Sequence, residues 1–413
     1  MYRILQGLQV IEASAFVAAP LGGMTLAQLG ADVIRFDPPG GGVDANRWPV
    51  TREGRSLYWA GLNKGKRSLA IDARHDEGRA LLTRLITAPG DGNGIFLTNL
   101  RADRGWMSYE ALKAHREDLI MVNLVGSSDG TSAVDYTVNC AAGFPLVTGN
   151  DAADGPPRPV NHVLPAWDAL AGMNLALAIL AAERHRRLTG EGQFVRLALS
   201  DVAFAMTGNL GYIQEVQVNG EERQGCGNYL YGAYGSDFAT ADGRRLYLVV
   251  VTDHMWKSLQ TVTGLGERFA AIESRLGLDF RREGDRFQAS AEISEPLRDW
   301  CGQRTLAEIE ATFAGTGVCW GPYRSFGQML EEDSRVSTAN PMFSEIEQPG
   351  IGSYLVPGSP LSFGAFAREA PAPAPLFGEH SDAILAGELG LSHGEIERLR
   401  REGVVTGPVE NPR

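Results

Sequence analysis

The first 36 residues contain the pattern that most limits the possible fold. The apolar segment Leu8–Glu12 has the character of a buried strand. A helix is predicted from Pro20 to Leu29, because proline is favoured in the first helical turn and Gly30 follows the helix. A second apolar strand, residues 31–36, comes next. Strand, helix and strand in this order predict the opening of a parallel α/β sheet, because parallel strands need a crossover connection.

The same alternation of strands and helices continues to about residue 200. Further strands are predicted at 68–72, 94–99, 119–125 and 193–200, and helices at 77–87, 109–116 and 168–188. Residues 130–165 are rich in glycine, proline and aspartate and are predicted to form a loop region. The predicted fold class is therefore α/β, with a parallel-sheet domain at 1–200 and a smaller α+β domain at 225–325. Residues 201–224 are the predicted linker, and 326–413 are predicted to return to the large domain with an amphipathic helix near 381–401.

The charge balance and the cysteine pattern argue against several classes of function. The chain carries 50 acidic and 38 basic side chains, a net charge of -12, which is unsuited to a nucleic-acid partner. Its four cysteines form no C-x-x-C pair, and no H-E-x-x-H segment occurs, so we expect free thiols, no metal and a cytoplasmic location. The most apolar stretch, Ala169–Ala182, is shorter than the roughly 20 residues of a membrane span, so no membrane partner is expected.

Two segments resemble motifs of known enzyme classes, but neither has the surrounding sequence that its motif requires. Gly22, Gly23 and Gly30 imitate a dinucleotide-binding fold, but Glu12–Phe16 stands where the glycine fingerprint should open the helix. The pattern therefore disfavours a nicotinamide enzyme. Residues 126–130 match G-x-S-x-G after a strand, but turn-forming and β-branched residues follow instead of a helical pattern. A polar turn is the favoured interpretation of that segment.

A group of basic residues precedes the third predicted strand. Lys64, Lys66 and Arg67 lie in this group, and Arg35 and Arg47 come from neighbouring loops. We predict that these cations converge at the edge of the sheet where α/β proteins bind ligands, which would suit a polyphosphate. A solvated basic loop is the alternative.

Asp168 stands at the predicted start of a buried apolar helix and is the candidate nucleophile. A helix amino terminus stabilises an anion, and an ionised carboxylate can attack an activated acyl group. Gly172, one turn later, is predicted to leave room for a ligand. The alternative is purely structural, because aspartate is also a favoured residue at a helix N-cap.

Several segments, in order along the chain, resemble the class III CoA-transferase family. They are MTLAQLGADVIRFDPPGGG, LNKGKRSLAID, FLTNLRADRGW, PAWDALAGMNLALAILAAERHRRLTGEGQ and FGEHSDAIL. The resemblance implies a Rossmann-like large domain, a small domain and an interlocked homodimer. It also implies that Asp168 forms an aspartyl-CoA thioester, since Asp168–Gly172 matches the D-x-x-x-G segment of the family. The matching CoA-contact positions are Arg35, Leu69, Asn99, Leu100 and Arg104, with Lys64 and Arg67 nearby.

Differences within the family narrow the expected reaction. Val134 stands where racemases of the family carry a histidine, which disfavours an α-methylacyl-CoA racemase. The stretches WAGLNKGKRS, VNHVLPAWD and GNYLYGAYG resemble members that move CoA from the C1 to the C4 carboxylate of mesaconate, a step of the 3-hydroxypropionate cycle of carbon dioxide fixation. Transfer between an acyl-CoA and a free dicarboxylate is the alternative. CoA is part of the substrate, so no cofactor is expected. Candidate substrate-binding residues are Arg47, His162, Tyr229 and Tyr231, and Asp135 is a candidate for orienting groups near the site.

Overall fold

The structure is a computed structural model that describes residues 1–149 and 158–409. Its contacts divide it into two units. The large unit consists of Met1–Ala142, Val163–Gln214 and the described part of Ser334–Arg413; the small unit takes the described residues of Gly143–His162 and Glu215–Asp333. The predicted linker at 201–224 contains helical segments, and residues just before Val163 group with the small unit.

The strands and helices of the described residues are numbered in chain order. The strands are β1 Gln9–Ala13, β2 Asp32–Asp37, β3 Arg67–Ile71, β4 Ile95–Thr98, β5 Ile120–Val125, β6 Gln193–Ala198, β7 Tyr234–Ala239, β8 Arg245–Val250, β9 Cys319–Pro322, β10 Phe343–Gln348, β11 Gly352–Pro357 and β12 Val405–Thr406. The helices are α1 Ala18–Gln28, α2 Leu57–Leu62, α3 Asp76–Ile86, α4 Tyr109–Lys113, α5 Asp135–Ala141, α6 Phe144–Thr148, α7 Ala166–Thr189, α8 Leu199–Asn209, α9 Tyr212–Asn219, α10 Asp253–Thr263, α11 Gly266–Leu276, α12 Glu283–Gln288, α13 Ser290–Gly302, α14 Leu306–Phe313, α15 Phe326–Glu332, α16 Ser381–Gly387 and α17 His393–Arg401.

The sheet of the large unit has the strand order β12-β3-β2-β1-β4-β5-β6. Neighbouring strands are parallel except β12, which pairs antiparallel with β3. The chain order of the strands reverses between β1 and β4, as in doubly wound α/β folds. This topology confirms the predicted α/β class with a Rossmann-like parallel sheet. In such sheets, ligands bind outside the carboxyl ends of the strands where the order reverses.

The central strands are buried and mostly apolar because both faces of the sheet are covered. All residues of β1 and of β4 are buried. Helix α3 adds one apolar face to the core, formed by Leu81, Leu82, Leu85 and Ile86. The alternation seen in the sequence therefore reflects a sheet that is enclosed by helices.

Helix α7 spans 24 residues, and by length and composition it could cross a membrane, so the sequence argument from length was wrong. The helix buries Ala171, Leu175 and Ile179 completely, as the core helix of a folded domain does. Gly172 packs against α1, where an added Cβ would lie 2.8 Å from the carbonyl oxygen of Ala18. The predicted ligand space at Gly172 is therefore wrong, because the missing side chain instead lets two helices approach.

The predicted loop at 130–165 is wrong in part, because α5 forms there. The Val134 N–H donates to Thr137 Oγ1 at 3.1 Å, and Val138 and Asn139 are buried on the inner side of the helix. Burial against tertiary neighbours outweighs the weak helix propensity of β-branched residues. The G-x-S-x-G segment still does not lead straight from strand to helix, since nine residues lie between the end of β5 and Asp135.

The single C-terminal helix predicted near 381–401 is divided into α16 and α17. Gly390, between them, has φ of 67°, a left-handed backbone conformation that turns the chain away from the axis of α16. Ser392 and Glu395 then form a capping box, in which the Ser392 N–H donates to Glu395 Oε2 at 2.7 Å. The chain therefore restarts as a second short helix.

The small unit has its own sheet and its own core. Strands β7, β8 and β9 are antiparallel neighbours in that order. Large aromatic side chains from the sheet and its helices fill the core; they are Tyr234, Phe238, Trp256, Phe269, Phe280, Trp300 and Phe313. This arrangement is the smaller α+β part of the predicted fold class.

Candidate active site

The loops after β1 and β4 are joined by one side chain. Asn99 comes directly after β4, and Ala15 lies two residues after the end of β1. Asn99 Nδ2 donates to the Ala15 carbonyl oxygen at 2.7 Å, and Asn99 Oδ1 accepts from the Ala15 N–H at 2.9 Å. These hydrogen bonds hold the two loops together at the sheet edge where the strand order reverses, which is the usual ligand position in this kind of sheet.

Phe16, next to Ala15, has a backbone conformation that is costly for a residue with a side chain. Its φ is 67°, and within residues 1–149 and 158–409 every other positive φ belongs to glycine. The Phe16 N–H donates to Asp44 Oδ2 at 3.0 Å, and 42% of the residue is exposed. Backbone strain of this kind persists where surrounding contacts impose it, and it is concentrated at functional sites.

Asp44 is held in turn by Arg35, which is only 1% exposed. Arg35 Nη2 donates to Asp44 Oδ1 at 3.0 Å, and Nε and Nη2 each donate to an oxygen of Asp37 at 2.9 Å. Burial alone would lower the pKa of Arg35, but the charges of Asp37 and Asp44 outweigh it and raise that pKa. Arg35 therefore supports the turn at Phe16, and its contact with CoA stays a prediction.

Asp168 is the third residue of α7, and its side chain does not cap the helix. The cap comes from α5 instead: Asp135 Oδ2 accepts from the N–H groups of Trp167 at 2.8 Å and Asp168 at 3.0 Å. The Trp167 indole N–H also donates to Asn139 Oδ1 at 3.1 Å. The N-cap interpretation of Asp168 is therefore wrong, and α5 fixes the first turn of α7 at two points.

The carboxyl group of Asp168 is half-buried, and its pKa is raised to about 6. Burial is the largest cause, the negative charge of Asp135 adds to it, and the positive charge of Arg47 opposes both. At pH 7 most of the group is ionised, yet it is more basic than an ordinary aspartate, whose pKa is about 3.9. From the sequence, the helix amino terminus was expected to be the main influence on the ionisation of Asp168. Loss of solvation has the larger effect on its pKa.

Arg47 lies close enough to Asp168 for its charge to act on the carboxylate. Its guanidinium carbon is 5.1 Å from the ring centre of Phe16 and 5.2 Å from that of Tyr58. Burial raises the pKa of Tyr58 against the opposing charge of Arg47, so this phenol stays a neutral hydrogen-bond donor. Helix α7 runs beside α1, which follows β1, so these side chains share one edge of the sheet.

Sequence reasoning missed Phe16, Asp44 and Tyr58. The one available signal for Phe16 is its place directly after the first strand, where a glycine fingerprint was sought and not found. Its positive φ could not be expected, because phenylalanine rarely adopts that conformation. Asp44 and Tyr58 have no motif of their own and become neighbours of the site only through folding.

The remaining predicted CoA contacts lie partly at the surface and partly in the core. Leu100 is 39% exposed and Arg104 is exposed, and both follow β4 together with Asn99. Leu69 is 1% exposed within β3, where it belongs to the core of the large unit. The positions after β4 are therefore accessible at the carboxyl edge, and their contacts with CoA stay predictions.

Arg67 lies at the amino edge of the sheet, so its predicted position at the carboxyl edge is wrong, whereas Arg35 and Lys66 both donate to Asn63 Oδ1. Arg67 is the first residue of β3 and pairs with Asp32, the first residue of β2. It also pairs with Glu388 at 2.7 Å. Two carboxylates thus already neutralise this cation.

The two lysines of the basic group are buried. Lys66 Nζ donates to Glu12 Oε1 at 2.8 Å, and burial lowers its pKa to about 8 in spite of that carboxylate. Burial, together with the charge of Lys66, also lowers the pKa of Lys64 to about 8. The solvated-loop interpretation is therefore wrong as well, because these lysines are interior residues.

Three candidate substrate-binding residues belong to the small unit. His162 and Tyr229 are half-buried there. Tyr231 is 42% exposed, and its hydroxyl donates to Glu215. The structure brings Arg47 together with the candidate nucleophile, whereas roles for the other three stay predictions.

Comparison with known proteins finds relatives along nearly the whole chain. The sequence model of CoA-transferase family III matches residues 5–381. A 2-methylfumaryl-CoA isomerase of Chloroflexus aurantiacus is 59% identical over 409 residues, which cover 99% of each chain. A succinyl-CoA–D-citramalate CoA-transferase of the same organism is 27% identical and covers 98% of each chain.

A solved structure has the same fold over nearly the whole chain. It is a CAIB/BAIF family protein from Brucella suis, with a TM-score of 0.76 and 26% identity over 94% of this chain and 99% of that one. The predicted family and enzyme class are confirmed by these matches. Because the family model and its relatives match nearly the whole chain, and the fold agrees with that of a solved relative, the chain belongs to CoA-transferase family III.

Proposed function

We propose that this enzyme moves CoA from the C1 to the C4 carboxylate of mesaconate, converting 2-methylfumaryl-CoA into 3-methylfumaryl-CoA. The observation that carries the proposal is Asp168, a half-buried carboxylate of raised pKa near Arg47, whose guanidinium lies over the rings of Phe16 and Tyr58. Membership of the family supports CoA transfer as the class of reaction. The 59% identity with the Chloroflexus isomerase supports the choice of substrate and the isomerisation.

In the first half of the proposed reaction, Asp168 is the nucleophile. One carboxylate oxygen attacks the C1 thioester carbonyl, and the carbon–sulfur bond breaks. CoA leaves as a thiolate, and Asp168 and the mesaconyl group are joined in a mixed anhydride. The thiolate then attacks the Asp168 carbonyl carbon, and the carbon–oxygen bond of the anhydride breaks. The products are an aspartyl-CoA thioester and mesaconate, and no proton is gained or lost.

In the second half, the retained diacid turns and presents its C4 carboxylate. This carboxylate attacks the aspartyl thioester and releases the thiolate, which then attacks the C4 carbonyl and regenerates Asp168. Every step is acyl transfer between oxygen and sulfur, so the reaction as proposed needs no metal and no redox cofactor. Retaining the diacid corresponds to an effective concentration of about 10⁵ M or more, so no external acceptor is required.

Intramolecular transfer is tested with isotope-labelled free mesaconate, added during turnover of unlabelled 2-methylfumaryl-CoA. We expect almost no label in the 3-methylfumaryl-CoA formed before equilibrium, because the diacid does not leave the site. Mass spectrometry of the early product measures this. Label that enters the product in proportion to the free acid would instead identify an ordinary transferase between an acyl-CoA and a dicarboxylate.

Arg47 is proposed to bind the carboxylate of the diacid that is not reacting, since a guanidinium matches a carboxylate in shape and charge. Replacing Arg47 with Met removes a charged hydrogen bond worth about 1.5–3 kcal/mol, so kcat/KM should fall about 10- to 150-fold. Arg47→Lys should lose less, because it keeps the charge. The matched control is Arg52→Met in the same loop, an exposed residue that should keep the wild-type rate. An unchanged kcat/KM in Arg47→Met would show that Arg47 does not bind the substrate carboxylate.

We also propose a cytoplasmic homodimer, with interlocking implied by the family resemblance alone. Self-association is supported by exposed apolar side chains on α7 and α8: Met173, Leu177 and Phe204 are 47%, 63% and 45% exposed. A cytoplasmic location is supported by the four cysteines, which are all free thiols.

A further inference from the structure

Asp135 combines deep burial with an oxygen that accepts no hydrogen bond from the described residues. The residue is 2% exposed, and its Oδ2 accepts the two N–H groups at the start of α7. Its Oδ1 is buried and has no hydrogen-bond partner among the described residues. The two N–H donors and the helix amino terminus place the positive ends of backbone dipoles against this carboxyl group. A cap by itself does not require a negative charge, because asparagine and serine cap helices equally well.

We propose that Asp135 is a positioning residue for CoA transfer, which fixes the first turn of α7 and uses its charge to make Asp168 a stronger, more readily acylated nucleophile. The inference rests on the proposed function, because it concerns the covalent step at Asp168. It assigns a reason for the charge of Asp135 that helix capping does not supply.

Two carboxylates meet at the first turn of α7: Asp168 belongs to this turn, and Asp135 of α5 caps it. In the free enzyme, both are negative, and Asp135 disfavours the charge on Asp168. When Asp168 becomes an anhydride or a thioester it is neutral, and the repulsion disappears. The acylated states are therefore stabilised relative to the free enzyme. A more basic carboxylate is also a better nucleophile, which speeds the first attack.

The other groups that face Asp168 act in known directions. Arg47, from the loop after β2, opposes the effect of Asp135, and Tyr58, from α2, is neutral. Asp135 thus offsets the attraction by which Arg47 would make the nucleophile less basic. Arg47 can then attract a substrate carboxylate without making Asp168 unreactive.

The test compares wild type with Asp135→Asn, which keeps an oxygen acceptor for both N–H groups and removes the charge. The quantity kcat/KM, which reports the pKa of groups in the free enzyme, is measured from pH 4.5 to 8. In the wild type kcat/KM should fall below pH about 6, because a protonated Asp168 cannot attack. In Asp135→Asn this acid limb should move to lower pH, and kcat/KM at pH 7 should drop about threefold to tenfold because the carboxylate is less basic.

A second readout follows the covalent state directly. Enzyme in turnover is treated with hydroxylamine, which displaces CoA from the aspartyl thioester and leaves a hydroxamate at Asp168 for mass spectrometry. The trapped fraction should be smaller in Asp135→Asn than in wild type. Asp135→Ser, an uncharged cap of different shape, should show the same two changes. Glu110→Gln, which removes an exposed first-turn carboxylate from α4, should show neither.

The outcomes separate the two proposals. If wild type never yields a hydroxamate at Asp168, the proposed function fails and this inference fails with it. If wild type is trapped, but both variants keep its acid limb and its trapped fraction, Asp135 is a structural cap only and the inference is overturned. A lower limb and less trapped enzyme in either folded variant support it.

Discussion

Replacing Asp168 with asparagine is expected to lower the rate of CoA transfer by about 10⁴-fold or more. An amide has no anionic oxygen to attack a thioester, and the neighbouring carboxylate of Asp135 is turned to the N–H groups of α7. Initial rates with 2-methylfumaryl-CoA measure the effect. A loss of less than tenfold would show that another group is the nucleophile.

The same variant should be more stable than wild type at neutral pH, which distinguishes lost chemistry from lost structure. The pKa of Asp168 is about 6 in the folded chain and about 3.9 when unfolded, so the folded state holds the proton more tightly. Stability is therefore lost as pH rises from about 4 through 6. After allowance for solvent screening, Asp168→Asn should gain roughly 1–2 kcal/mol at pH 7. The gain should vanish near pH 4, where both side chains are neutral, and thermal unfolding at the two pH values measures it.

Replacing Arg35 with methionine is expected to lower the free energy of unfolding by about 3–5 kcal/mol. The change would leave Asp37 and Asp44 buried without their shared cation, because Arg35 is 1% exposed and donates to both. Asp44 holds the strained turn at Phe16, so activity should fall as well. Urea denaturation followed by circular dichroism measures the loss.

The matched control for Arg35 is Arg101→Met, which breaks an exposed pair with Asp103 and should leave the unfolding transition unchanged. The experiment also separates two roles for Arg35. If Arg35→Met kept the unfolding free energy of wild type but raised the KM for the CoA substrate, the CoA contact implied by the family resemblance would be correct and the anchoring role wrong.

The fold class and the candidate nucleophile could be predicted because each depends on a local pattern. A strand covered on both faces is mostly apolar, as β1 and β4 are, and so it can be recognised without any tertiary information. The long apolar segment after Asp168 similarly marks a buried helix, although its bounds, Ala166–Thr189, extend beyond those predicted.

Other features depend on which distant residues meet, and the sequence does not contain that information in any local pattern. Helix α5 has weak helix formers and exists because Val138 and Asn139 are buried. Gly172 was expected to face a ligand, but only the path of α1 shows that it faces a helix.

The chemistry of the site is likewise a product of tertiary structure. By itself, the sequence determined that a carboxylate stands at the head of an apolar helix in a parallel α/β fold. Folding decided that a second carboxylate 33 residues away caps the same turn, and that Arg47 lies opposite. The reactivity of Asp168 is set by loss of water and by nearby charges, which fall off with distance through space and not along the chain.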